Sequence, residues 1–371
     1  MTVHIYRSTD ASAPVLDGTA AGSLITVLKA CLVNGFGSGA TATPAGWTLT
    51  LEDTVNKKAM FRNSTSTSGS GYVGSGRYFV FRDDGQQYIS QGANRFYAAT
   101  ITGANNYTDI NTLTLPFPRT ISGTDRHNDL FYGMEVLKGT NAASPWIVIA
   151  DEYTCYLITT ASGNSTLTPA FSKLMGFGDV VKFGNVDNNP KAFVGGAMFA
   201  TDGDIKYHPS LGLGMNLNNG APTIQGYLEH SITNNSGSVS FYTLLPEYWN
   251  TGRAMVEAGT NGTPGAYIPW ISGGSPITGG LVATQVTVSE NPADVLRTYT
   301  HTYIEMETFA YLPGYYRCGH VIGFDPYKIG DDLDIVQTGG RDYLLVRISD
   351  VPGYYYNADH GYMFDITGPW R

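Results

Sequence analysis

The chain has 371 residues, of which 42% are hydrophobic and 14% charged, with 45 glycines and 25 tyrosines. That hydrophobic fraction is enough to fill real cores and excludes a disordered chain. A surface so poor in charge must be covered by Ser, Thr, Asn and Tyr, as in turn-rich β structure. The formal net charge of −9 argues against nucleic acid as a partner, because sequence-independent binding comes from Lys and Arg neutralising phosphates.

The opening MTVHIYRSTD has neither a basic start nor an apolar run. No signal peptide is expected there, and no stretch of about 18 apolar residues predicts membrane insertion. Synthesis in a cytoplasm is the expectation. Cys31, Cys155 and Cys318 are odd in number, far apart and free of CxxC spacing, so they suggest buried free thiols rather than disulfides or a zinc site. No cofactor is implied.

In chain order, the first element is a helix over about Ala21 to Val33, where Leu24, Ile25, Leu28, Ala30, Cys31 and Leu32 recur at three- and four-residue spacing. Asn34-Gly35 stops it with residues that tolerate a left-handed backbone. After Trp47 the period becomes two. Tyr78 to Phe81, the turn Arg82-Asp83-Asp84-Gly85 and Gln86 to Ser90 read as one hairpin. Further strands are expected at Arg95 to Thr102, Trp146 to Ala150, Thr154 to Thr159, Val180 to Phe183 and Ala197 to Thr201.

Gly, Asn and Pro concentrate between Tyr207 and Pro222, which places a boundary there. The expected organisation is a mainly-β domain with one helix at 1–205, a loop or linker at 206–224 and a second mainly-β domain at 225–371. In the second part, strands are expected at Ser238 to Leu244, Gly280 to Val288, Thr298 to Phe309, Leu312 to His320 and Tyr343 to Ser349, with one helical turn at Asn291 to Leu296. No propeller or solenoid repeat is visible. The fold class is all-β, with β-sandwich or Greek-key-like domains.

Catalytic signatures are missing from the sequence. Gly69-Ser-Gly71-Tyr-Val-Gly74 and Gly35-Phe-Gly37 imitate nucleotide fingerprints, but neither stands between a strand and a helix. No Walker loop, HExxH or GxSxG occurs. The loop holding Asp125, His127 and Asp129 has no nucleophile partner. Asp202 with Asp204, and Asp331, Asp332 and Asp334, lack the length and closing glutamate of a calcium loop. The expectation is a protein that is not an enzyme, with no catalytic, cofactor or metal residues.

The aromatic clusters are the remaining signal. Tyr315, Tyr316, Tyr354, Tyr355, Tyr356 and Trp370 are candidate interface residues, because neighbouring strand residues point to opposite faces and both must meet something. The run Phe364 to Arg371 is apolar and aromatic where a free tail would be polar, so this segment is expected to be docked.

Several segments resemble a family of virion structural proteins from tailed bacteriophages: HIYRSTDASAPVLDGTAAGSLITVLKACLVNGFG from His4, AGWTLTLEDTVNKKAMFR from Ala45, WIVIADEYTCYLI from Trp146, Phe177 to Asp179, LPGYY from Leu312 and FDITGPWR from Phe364. The resemblance implies a head, neck or tail component of the virion, made in the bacterial host cytoplasm and assembled in multiple copies with itself and with other virion proteins. It carries over no functional residues. Two other classes remain open: a carbohydrate- or receptor-binding tail protein that meets a host surface glycan, and a polysaccharide-degrading tailspike.

Overall fold

The computed structural model describes residues 2–85, 87–89, 95–114, 116–117, 134–139, 141–160, 172–182, 192–197, 225–229, 238–243, 275–288, 299–318, 335–338, 340–347 and 361–371. The described residues form antiparallel sheets with a single short helix, so the class is all-β. The helix begins with an α-helical stretch, Ser23–Lys29, and widens into a π-helical turn, Ala30–Asn34. Leu24, Ile25, Val27, Leu28, Cys31 and Leu32 form its buried stripe. Gly35, at φ 73°, ends it and donates its N–H to the Ala30 carbonyl, as the Asn-Gly pair predicts.

The period of two decides how the layers stack. A central sheet runs in the order His4–Arg7, Ile147–Ala150, Thr154–Thr160, Ser172–Asp179, Ala192–Ala197, Gln225–Glu229, Ser238–Thr243, Ser275–Val288, Tyr299–Leu312, Val181–Lys182. In its first strands successive residues enter different cores. Tyr6, Val148, Ala150, Cys155, Leu157, Met175, Phe177 and Val194 join one cluster with the helix, while Ile149, Tyr156, Ile158, Leu174 and Phe193 join another. A strand buried on both faces needs apolar residues at every position, which is why Ile147–Ala150 reads as an unbroken apolar run.

The first cluster is closed by a six-stranded sheet comprising Thr48–Asp53, Lys58–Arg62, Tyr78–Arg82, Arg95–Ala104 and Gln87–Ile89, with Met134–Leu137 also paired to Arg95–Ala104. Phe61, Phe79, Phe81 and Ile101 reach into that core. The second cluster is closed by a four-stranded sheet, Tyr315–Cys318, Gly361–Asp365, Arg341–Arg347 and Ile335–Thr338, through Leu344, Phe364 and the nearby Trp370. The central sheet also returns on itself: Val181–Lys182 continues Ser172–Asp179 after one residue and pairs with Tyr299–Leu312. Chain from both sides of 206–224 pairs in this sheet, through Ala192–Ala197 and Gln225–Glu229; the expected linker itself lies outside the described residues.

One expected pairing is corrected. Tyr78–Arg82 does not form a hairpin with Gln87–Ile89; it pairs with Lys58–Arg62 and with Thr100 to Ala104, and Gln87–Ile89 pairs with Arg95 to Tyr97. The cause is Asp83. Instead of forming a tight turn, its carboxylate accepts the Leu24 N–H at 2.9 Å, its carbonyl accepts the Gly22 N–H at 2.7 Å, and its other carboxylate oxygen meets Lys138. The Asp-Gly segment is therefore docked against the start of the helix. The strand expected at Ala197 to Thr201 lies earlier, at Ala192–Ala197, with 198–201 outside the described residues. Asn291 to Leu296 also lies outside them.

Candidate functional site

Among the described residues a densely connected polar cluster grows from two aspartates at strand ends. Asp151 comes directly after Ile147–Ala150 and Asp179 closes Ser172–Asp179. Asp151 turns the chain: one carboxylate oxygen accepts the N–H groups of Tyr153 and Thr154 at 2.8 and 2.7 Å, and its carbonyl accepts the Trp47 indole N–H at 2.8 Å. Gly178 stands at φ 127° with a Cβ position only 2.4 Å from the Tyr153 carbonyl. A side chain there would push the two strand ends apart, and glycine lets Asp179 sit beside the turn.

The Asp179 carboxylate accepts hydrogen bonds from Asn63 Nδ2 at 2.6 Å, the Tyr72 hydroxyl at 2.8 Å, the Ser75 N–H at 2.8 Å and the Ser75 hydroxyl. Asn63 also donates to the Tyr153 carbonyl at 3.0 Å and accepts the Arg77 N–H at 2.7 Å. Into this setting comes Arg371, whose side chain is 2% exposed. One terminal nitrogen donates to Asp151 at 2.8 Å, and the other donates to the Thr154 hydroxyl at 2.6 Å and the Asp179 carbonyl at 2.7 Å. The guanidinium carbon lies 4.8 Å from the Tyr72 ring centre and 5.2 Å from that of Tyr153, and those rings meet edge-on at 5.1 Å.

Burial lifts the Asp151 carboxyl above its ordinary value, opposed by the charge of Arg371 and by the two N–H donors. Burial likewise raises the Tyr72 phenol, and the neighbouring Asp179 adds to the rise. Asp151 and Asp179 are engaged in holding chain together, and buried charge of this kind is tolerated only when it is paired and hydrogen-bonded. The arrangement acts as a strut joining a loop, two strand ends and the segment after the last strand.

Trp370 lies next to this node. It is 8% exposed, donates its indole N–H to the Asp365 carbonyl at 2.7 Å and meets the Tyr156 ring edge-on at 5.7 Å. The expected docking of Phe364 to Arg371 is thus present in the structure, and the Trp370 ring is taken up by contacts within the chain. Tyr315 and Tyr316 pair with Phe364 and Met363 in the four-stranded sheet. Tyr354, Tyr355 and Tyr356 lie outside the described residues, as do Asp125, His127, Asp129, Asp202, Asp204, Asp331, Asp332 and Asp334.

Cys31 and Cys155 are buried free thiols, raised well above the ordinary thiol value first of all by that burial. Among the described residues no group of three or more His, Cys, Asp or Glu is placed to hold a metal ion, and no helix is long and apolar enough to cross a membrane.

Sequence reasoning missed Asp151, Asp179, Arg371, Tyr72 and Asn63. The one available signal was an aspartate at the end of a strand, twice: Asp151 directly after Ile147–Ala150 and Asp179 as the last residue of Ser172–Asp179. No protein-family model and no curated protein sequence matches the chain.

Proposed function

We propose that this chain is a non-enzymatic structural component of a tailed-phage virion. In this reading it is made in the bacterial host cytoplasm and assembled in multiple copies through β-domain interfaces with itself and with neighbouring head, neck or tail proteins. The observation that carries it is where the phage-like segments fall. His4 to Gly37, Ala45 to Arg62, Trp146 to Ile158, Phe177 to Asp179, Leu312 to Tyr316 and Phe364 to Arg371 supply the helix, strands of the central, six-stranded and four-stranded sheets and most of the buried node. The resemblance therefore lies in the framework, and the titratable groups of that framework, Asp151, Asp179 and Arg371, join layers to one another.

Gold-labelled antibody staining of purified phage particles, viewed by electron microscopy, tests the proposal. Label on capsid, neck or tail is the expected result and selects the location. Clean particles beside abundant protein in the infected cell would overturn it and leave the glycan-binding and enzymatic classes.

A further inference from the structure

We propose that the segment Ile366 to Arg371 presets the loop Ser64 to Gly76: docking of Arg371 and ordering of that loop are thermodynamically coupled through Asp179 and the Tyr72 and Tyr153 rings. This inference stands independently of any role in a virion.

The loop reads STSTSGSGYVGSG and contains no charged residue. A Gly/Ser-rich stretch of this kind behaves as flexible coil when left to itself, so anchors outside it contribute to its order. Its internal bonds are short-range: Ser68 N–H to the Tyr72 carbonyl at 2.7 Å, Gly71 N–H to Ser68 at 2.9 Å and Gly74 N–H to Ser66 at 3.1 Å, with serine hydroxyls linking Ser64 to Ser66 and Ser68 to Ser70 and to the Tyr72 N–H. Its external anchors converge on the node. Tyr72 and Ser75 bind the Asp179 carboxylate, and the Tyr153 hydroxyl donates to the Ser66 carbonyl at 3.1 Å. At the other end of the coupling, Arg371 holds the Asp179 carbonyl and lies against the faces of both tyrosines.

Withdrawing Arg371 therefore removes three things at once. Tyr72 loses the cation on its ring, an attraction that grows when the pair is desolvated. Asp151 loses the positive charge that opposes its burial beside Asp179. The Thr154 hydroxyl, bridging Arg371 and the Asp179 carbonyl, loses the donor that fixes it. The loop anchored on Asp179 must loosen in response, and linkage requires the reverse: loosening the loop must weaken docking of the segment by the same factor.

Residue-resolved hydrogen–deuterium exchange on the full chain tests this. In Arg371→Ala the amides of Tyr72, Gly74 and Ser75 are expected to exchange about 5- to 150-fold faster, the usual range of coupling between sites. Met60 and Val80, in the paired strands Lys58–Arg62 and Tyr78–Arg82, should keep their protection. Unchanged loop amides would overturn the proposal. If Met60 and Val80 accelerate as well, Tyr72→Phe decides the matter by removing a single hydroxyl. Faster exchange at Ile366, Thr367 and Gly368, whose N–H groups bind Asp342 and Asp365, supports the coupling; no change there overturns it.

Discussion

Beside the start of the helix a single ammonium does what a guanidinium fork does at the Asp151–Asp179 node. Lys138 reaches the Asp83 carboxylate and the Ala20 carbonyl, the latter at 2.8 Å, with both side chains of the ion pair fully buried. Arg371 divides its donors among Asp151, Thr154 and Asp179 and lies across two aromatic rings. An ammonium is a compact point charge, whereas a planar guanidinium can bind several groups in one plane and stack on rings. The two pairs also differ in what surrounds them. Asp83 is enclosed by the helix start and the strands of the six-stranded sheet. Arg371 is carried by a segment that belongs to no strand ladder. A charge orphaned at Asp83 has no way to water, while Asp151 can be hydrated when Ile366 to Arg371 leaves.

The sharpest way to break this comparison is to remove the ammonium. Lys138→Ala should cost about 3–5 kcal/mol, the usual result of leaving one half of a buried pair behind. The loss is read as a lower midpoint in urea unfolding. Replacing both partners together with apolar residues should cost less than the two single changes summed, because no charge is then stranded. A loss below about 1 kcal/mol for Lys138→Ala would mean that Asp83 finds water after all, and the contrast between the two pairs would disappear.

A smaller effect is expected at Gly314. It stands at φ 66°, and a Cβ would lie 2.2 Å from the Trp370 indole. Gly314→Ala should destabilise by about 1–3 kcal/mol through overpacking, in addition to the cost of a left-handed alanine. Gly71→Ala is the control: its φ is 84° but its Cβ position is open, so only the backbone cost of about 1–2 kcal/mol remains. Equal thermal shifts for the two variants would show that Trp370 gives way freely and that the segment is loosely seated.

The smallest effect belongs to the exposed turn at Asp53. Its carboxyl is held below the ordinary value first by the Asn56 side chain and then by the Asn56 and Val55 N–H groups. A carboxyl depressed in the folded state contributes stability above its unfolded pKa and loses it as pH falls through the lowered value. An NMR titration of the Asp53 carboxyl should therefore show ionisation persisting to lower pH than in the unfolded chain. Coincident titrations would show that the turn forms no lasting bonds.

Much of the fold was legible because it depends on neighbours in sequence. The helix stripe from Leu24 to Leu32, the strands at Arg95, Ile147, Thr154 and Tyr343, and the docked Trp370 all follow from periodicity and from apolar residues that must find cover. The hairpin at Tyr78 was misread because Asp83-Asp84-Gly85 has the chemistry of a tight turn, yet its aspartate is drawn inward by Leu24, 59 residues away in sequence, and by Lys138. The node was not legible at all. A lone aspartate after a strand looks like any solvated turn residue until the partner that neutralises it is known.

The sequence by itself therefore determined the all-β class, the single helix, the buried thiols Cys31 and Cys155 and the docking of the Phe364 to Arg371 run, since each rests on local pattern or on apolar surface seeking cover. Only the tertiary structure decided that Arg371 meets Asp151, 220 residues earlier, that Lys138 meets Asp83, and which face of each central strand enters which core. Those outcomes depend on strand order and register, and a slip of one residue in register would turn every side chain to the other face.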